Sequence, residues 1–124
     1  MVLRLWVPLL VVALLPTALD AQEPTAEQAE FFVKKVRPLL ARSCFSCHGE
    51  MKSKNNLRLD SRTAALEGGD AGPALVPGKP DDSLLIQAVR YGGEIKMPPK
   101  GRLTDGEIAD LVAWVKQGAH WPDK

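Results

Sequence analysis

The stretch Cys44-Phe45-Ser46-Cys47-His48 constrains this chain more than any other, because five residues gather both of its cysteines and one of its two histidines. On a helical turn, positions i, i+3 and i+4 share one face, so Cys44, Cys47 and His48 project together. Three chemistries compete for such a turn. A thioredoxin-type redox pair belongs beside a βαβ pattern, and the sequence shows none. A structural zinc site needs four ligands; Cys44, Cys47 and His120 supply three, and His48 is poorly placed beside Cys47 to join the same ion. The third is the C-x-x-C-H spacing of covalent haem c. There two thiols add across the two vinyl groups, and the histidine directly behind them reaches the iron. The spacing therefore predicts one haem c, fixed by Cys44 and Cys47 and ligated by His48.

A porphyrin iron has a second axial position, most often filled by methionine or histidine. Met51 lies three residues past His48, on the same side of the ring, and reads as an ordinary loop methionine. His120 follows the last expected helix and stays open as a weaker alternative. Met97 sits between Lys96 and Pro98-Pro99, in no apolar stripe. A proline forces the residue before it towards an extended conformation, and two prolines lower the entropy of placing the sulfur. Met97 is the expected distal ligand.

The N-terminus carries one arginine, Arg4, then an apolar run from Leu5 to Leu15, then Pro16 and small residues up to Ala21. This is the pattern of a secretory signal peptide. The run is shorter than the roughly 20 residues of a membrane-spanning helix, so cleavage after Ala21 is expected, with an uncleaved anchor as the only route to a membrane. Residues 22–124 then form one domain, in the periplasm or another exported location. The formal charge of +1 gives no reason to expect nucleic acid. Beyond position 21 the aromatic residues are Phe31, Phe32, Phe45, Tyr91, Trp114 and Trp121 alone. Such a core is marginal for a domain of this size, and a bound cofactor would supply buried apolar mass.

The periodicity predicts an all-α protein of short helices and long loops. Thr25-Ala26-Glu27-Gln28 is a capping box. The helix it starts has Phe32, Val36, Leu39 and Leu40 on one face and meets a break at Pro38. A second short helix runs from there into Cys44. Leu57 and Leu59 alternate with Arg58 and Asp60 in an extended piece. Ser61 caps a brief helix over 62–67; another, started by Pro80-Asp81-Asp82-Ser83, covers about 82–91. Thr104-Asp105-Gly106-Glu107 is a second capping box, opening a helix over 105–117 with Ile108, Leu111, Val112 and Val115 on one face.

Taken in order, "CFSCH", "LRLDS", "GPALVPGKPDDSLL", "MPPKGRL" and "LVAWVKQGAHWP" resemble the planctomycete-type cytochrome c domain, a branch of the class I c-type cytochromes, over about residues 31–122. The resemblance implies a compact all-α class I fold around one haem, with the same four residues in the same roles. Three departures stand out: Asn55-Asn56 replaces a frequent Gly-Gly, His120 replaces a frequent proline, and the chain stops at Lys124 where the domain commonly opens a larger protein. Asparagine tolerates left-handed backbone better than most residues, so the turn at 55–56 is expected to survive.

These readings make the chain a monomeric electron carrier rather than an enzyme. Two rivals remain: a peroxidase or gas sensor with a labile sixth ligand, and an accessory domain of a larger or truncated enzyme. Arg58, between two inward leucines, is expected either to reach a haem propionate with its planar fork or to stand as an exposed arginine on a short strand. Lys34, Lys35, Arg37, Arg42, Lys52 and Lys54 flank the cysteine motif, and Lys96, Lys100 and Arg102 surround Met97. Asp81, Asp82, Asp105, Glu107 and Asp110 gather elsewhere. A positive field at the haem edge would steer an acidic redox partner.

Overall fold

The computed structural model describes residues 23–122 and the single positions 2, 11 and 13. The signal segment, expected over 1–21, lies outside the described residues apart from those three positions.

Among the described residues there are five α-helices, most of them joined by long loops: α1 (Ala26–Phe31), α2 (Arg37–Ser43), α3 (Arg62–Glu67), α4 (Leu84–Val89) and α5 (Asp105–Lys116). Short 3₁₀ turns occupy Lys54–Asn56 and Pro80–Asp82. Among the described residues there is no strand, only the isolated bridges His48–Ser53 and Gly69–Gly72. No described helix is long and apolar enough to cross a membrane.

The sequence signals for helix starts correspond to hydrogen bonds. Thr25 accepts from the backbone N–H of Gln28, and Gln28 returns the bond to Thr25. Thr104 and Glu107 do the same at α5. Ser61 accepts from the N–H of Ala64 at 3.1 Å. The break expected at Pro38 takes another form. Phe32–Val36 is a single π turn between α1 and α2. Pro38 offers no N–H to the helix behind it, and the wider i→i+5 turn absorbs that mismatch without ending the helical path.

The helix expected over 82–91 is shorter, for two reasons. At its start the fully buried Ser83 hydroxyl donates backwards to the Lys79 carbonyl at 2.9 Å and accepts from the Val76 N–H at 2.9 Å. Its backbone stays extended (φ −87°, ψ 119°), so the helix opens only at Leu84. At its end Tyr91 adopts a left-handed φ of 61°.

The core sits where the α1–π–α2 arm crosses α5. Phe32, Val36, Leu39 and Leu40 pack on Ile108, Leu111, Trp114 and Val115, all of them buried. Ile86 and Val89 of α4 join the same cluster. The loop 68–80 lies against it through Ala74 and Leu75, and Gly78 donates to the Val115 carbonyl at 2.8 Å. Arg62 of α3 holds the chain end: its guanidinium donates to the carbonyls of Ala119 (2.9 Å) and Gly118 (3.2 Å). One face of the molecule remains outside this packing, between the turn at 44–59 and the loop after α4.

Candidate functional site

Cys44 caps α2, and residues 44–48 make one tight turn beyond it. The Cys44 carbonyl accepts from the N–H groups of Cys47 (3.2 Å) and His48 (2.9 Å). That turn puts Cys44, Cys47 and His48 on the wall of one cleft of about 220 Å³. The rest of the wall is mostly apolar: Leu57 and Leu59, Leu85, Ala88 and Val89, then Ile95, Met97, Pro98 and Pro99. Lys54 and Asp70 are the charged residues on it. A broader, shallower hollow of about 570 Å³ runs along α1 past Phe31 and Gln117, but it holds no cysteine, histidine or methionine.

His48 is buried, and its Nδ1 lies 3.1 Å from the Leu57 carbonyl. A carbonyl can only accept, so the proton sits on Nδ1 and the Nε2 lone pair is free for a metal. The His48 carbonyl in turn accepts from the Leu59 N–H at 2.8 Å. Such a partner on the second ring nitrogen fixes ring orientation and raises ligand basicity. Burial pushes the Cys44 thiol up to about 11, and the neighbouring Cys47 adds to the shift. A disulfide-exchange cysteine carries the opposite shift, a depressed value.

Met97 reaches the same cleft from the loop after α4. Its N–H donates to the Ala88 carbonyl at 3.1 Å, and Pro98 follows through a cis peptide. Among the described residues no three of His, Cys, Asp and Glu gather as a metal cluster, which leaves the zinc reading without its ligand set. His120 does not line the cleft; its carbonyl accepts from the Trp114 indole at 2.8 Å, near the chain end. Met51 is 97% exposed at the tip of a turn.

Arg58 is not brought to the cleft. Its guanidinium forks onto Asp60 at 2.7 and 3.0 Å, on the solvent side of the extended piece. The hydrogen bond from Arg58 holds the Asp60 carboxyl below the usual carboxylate range. Glu107 is also held low, chiefly by the Thr104 backbone N–H and then by Arg42.

The donor set fits a covalent porphyrin. Two thiols in one turn suit thioether bonds, an oriented imidazole and a thioether suit the two axial positions of iron, and an apolar wall suits a macrocycle. The cleft is smaller than the roughly 300–1,000 Å³ of a typical cofactor pocket. A larger planar group must leave an edge in solvent or press the flanking loops apart.

The helical fold and this donor set suit a c-type cytochrome site. Residues 44–101, which contain both cysteines, His48 and Met97, match the family model described as planctomycete cytochrome C. Over that stretch the chain is similar to the planctomycete cytochrome c family. Domains of the cytochrome c family bind haem covalently and are in general electron carriers rather than enzymes. No curated protein and no solved structure matches the chain.

Proposed function

We propose that this chain is an exported monohaem c-type cytochrome, with a class I arrangement of helices around the cofactor, that passes single electrons to and from a partner protein. One observation carries the reading: Cys44, Cys47, His48 and Met97, from two segments far apart in sequence, line a single apolar cleft. When bound, the haem supplies an iron that cycles between ferric and ferrous states.

The protein's own residues set the terms of that cycle. Cys44 and Cys47 fix the group covalently. His48, its tautomer set by the Leu57 carbonyl, presents Nε2. The thioether of Met97 favours the reduced state and raises the potential. His48 and Met97 would together hold the iron and leave no place on it for a substrate, which disfavours the peroxidase and sensor readings. Leu57, Leu59 and Val89 keep water from the interior side of the cleft.

Residues 1–21 direct export and are removed, leaving a monomeric carrier. The partner is acidic at its contact surface, although the basic patch is smaller than the sequence suggests. Arg42 pairs with Glu107 (2.6 Å) and Arg102 with Asp105 (2.7 Å), so two of the acidic residues placed elsewhere lie beside the patch. Lys52, Lys54, Lys96 and Lys100 make no ion pair among the described residues and carry the steering field.

The test is the absorption spectrum of the purified protein, with its denatured pyridine adduct. A covalent adduct of one haem per chain and a low-spin ferric form with a weak near-infrared sulfur–iron band are expected. Met97→Ala keeps the covalent adduct, loses that band and lowers the potential. A high-spin wild-type protein that binds cyanide at once would overturn the reading.

A further inference from the structure

Tyr91 stands in a conformation that its residue type avoids. Its φ of 61° is left-handed, a region that bulky side chains avoid and that glycine adopts freely. Gly92 and Gly93 follow immediately, so a glycine at 91 would end α4 without that strain. A side chain kept at such a position calls for a role.

The role is visible in its contacts. The Tyr91 hydroxyl donates to the Pro98 carbonyl. The Ala88 carbonyl, one turn back at the end of α4, accepts from both the Tyr91 N–H (3.2 Å) and the Met97 N–H (3.1 Å). Met97 is therefore held on both flanks: its own N–H is tied to α4, and the carbonyl of the next residue is tied to a phenol rooted in the same helix end. The intervening residues 92–96 contribute two glycines and mostly exposed side chains, and they make no comparable bond to the core. Without the phenol, only one tie would hold the sulfur-bearing segment against the cleft.

We propose that Tyr91 is a positioning residue for Met97: its hydroxyl clasps the Pro98 carbonyl and limits the rate at which the thioether leaves the iron. The left-handed turn aims the ring back along the loop towards that carbonyl. This rests on the reading of Met97 as distal ligand.

The experiment compares full-length holoproteins with cyanide as the probe, since cyanide enters only when the sixth position opens. In Tyr91→Phe the covalent haem and the near-infrared band remain at 25 °C, and cyanide binds roughly five- to tenfold faster, the effect of one lost hydrogen bond. Tyr91→Gly relieves the backbone and also lacks the hydroxyl. It shows the same acceleration while unfolding no more easily than Tyr91→Phe, a combination that a merely structural role would not give. Wild-type cyanide rates in both variants overturn the clasp, provided Met97→Ala binds cyanide at once. If Met97→Ala binds no faster than wild type, the ligand assignment itself falls, and the clasp with it.

Discussion

Where the π turn meets α5, Phe32, Trp114 and Trp121 form a triangle of tilted rings with centroids 4.8, 5.7 and 6.0 Å apart; Phe32 and Trp114 are buried with Val36, Leu111 and Val115, and Trp121 is half-buried at the edge. Around the cleft the chain is organised by another means. Residues 48, 57, 59, 88, 91, 97 and 98 are linked by hydrogen bonds between loops, and their apolar side chains line a gap instead of filling one another's spaces. The aromatic clamp has its packing partners within the chain. The cleft is arranged for a partner that the polypeptide does not supply. Stability in the first region comes from dispersion and burial; in the second, most of it must come with the cofactor, as for any ligand that binds only the native state.

The sharpest way to break that contrast is to remove both thiols. Cys44→Ala with Cys47→Ala abolishes covalent haem and leaves little folded protein, with residues 84–101 losing amide protection before α5 does. Circular dichroism and hydrogen exchange read both effects; native helicity retained in the absence of haem would show that the clamp suffices alone. The converse change is Trp114→Ala, which deletes a buried ring and the bond to the His120 carbonyl. It costs about 3–5 kcal/mol in denaturant unfolding while leaving the haem spectrum of the folded fraction as in wild type. A spectrum altered by that substitution would mean that the two regions share one cooperative unit down to the iron.

The smallest expected effect tests the rim. The Asp60 carboxyl is held low by Arg58, so its native value lies below the unfolded one of about 3.9. The pair adds stability above that unfolded value. The increment disappears as pH falls through the native value, and below both it is absent. Asp60→Asn is therefore slightly less stable than wild type at neutral pH, and the two unfolding midpoints converge on acidification. A constant gap down to pH 2 would assign the role of Asp60 to something other than its charge.

Much of this was legible in the residues themselves. Both capping boxes, the Ser61 cap and the apolar stripe of α5 are local chemistry, and local chemistry survives folding. Asn55 and Asn56 both take left-handed φ (56° and 59°), as the departure from Gly-Gly requires. The Arg58 fork, expected on a haem propionate, lies on Asp60 instead. Residues i and i+2 of an extended segment share a face, so Arg58 and Asp60 stand side by side, away from Leu57 and Leu59. What the sequence does not reveal is long-range: Arg42 finds Glu107 across 65 positions, and that pairing redraws the charge map. Tyr91 was missed because nothing local marks a tyrosine for left-handed backbone; Gly92-Gly93 signals where α4 stops, not which side chain swings back. The buried Ser83 hydroxyl likewise stands in the expected helix start and acts as a loop tie.

His48 is anchored twice, through its ring to Leu57 and through its carbonyl to Leu59. Between those anchors the chain leaves the protein body and returns. Gly49 donates to the Lys52 carbonyl at 2.8 Å, Lys54 donates to the Cys47 carbonyl at 2.9 Å, and Glu50 and Met51 form an exposed tip. The position of the ligand is thus set at the base of the excursion and is indifferent to its length. Loop-closure entropy grows only by about 0.6 kcal/mol for each doubling of length. The Glu50–Met51 tip is therefore a site where a peptide tag, a second recognition segment or a whole domain could be spliced into the chain without altering the register of the imidazole.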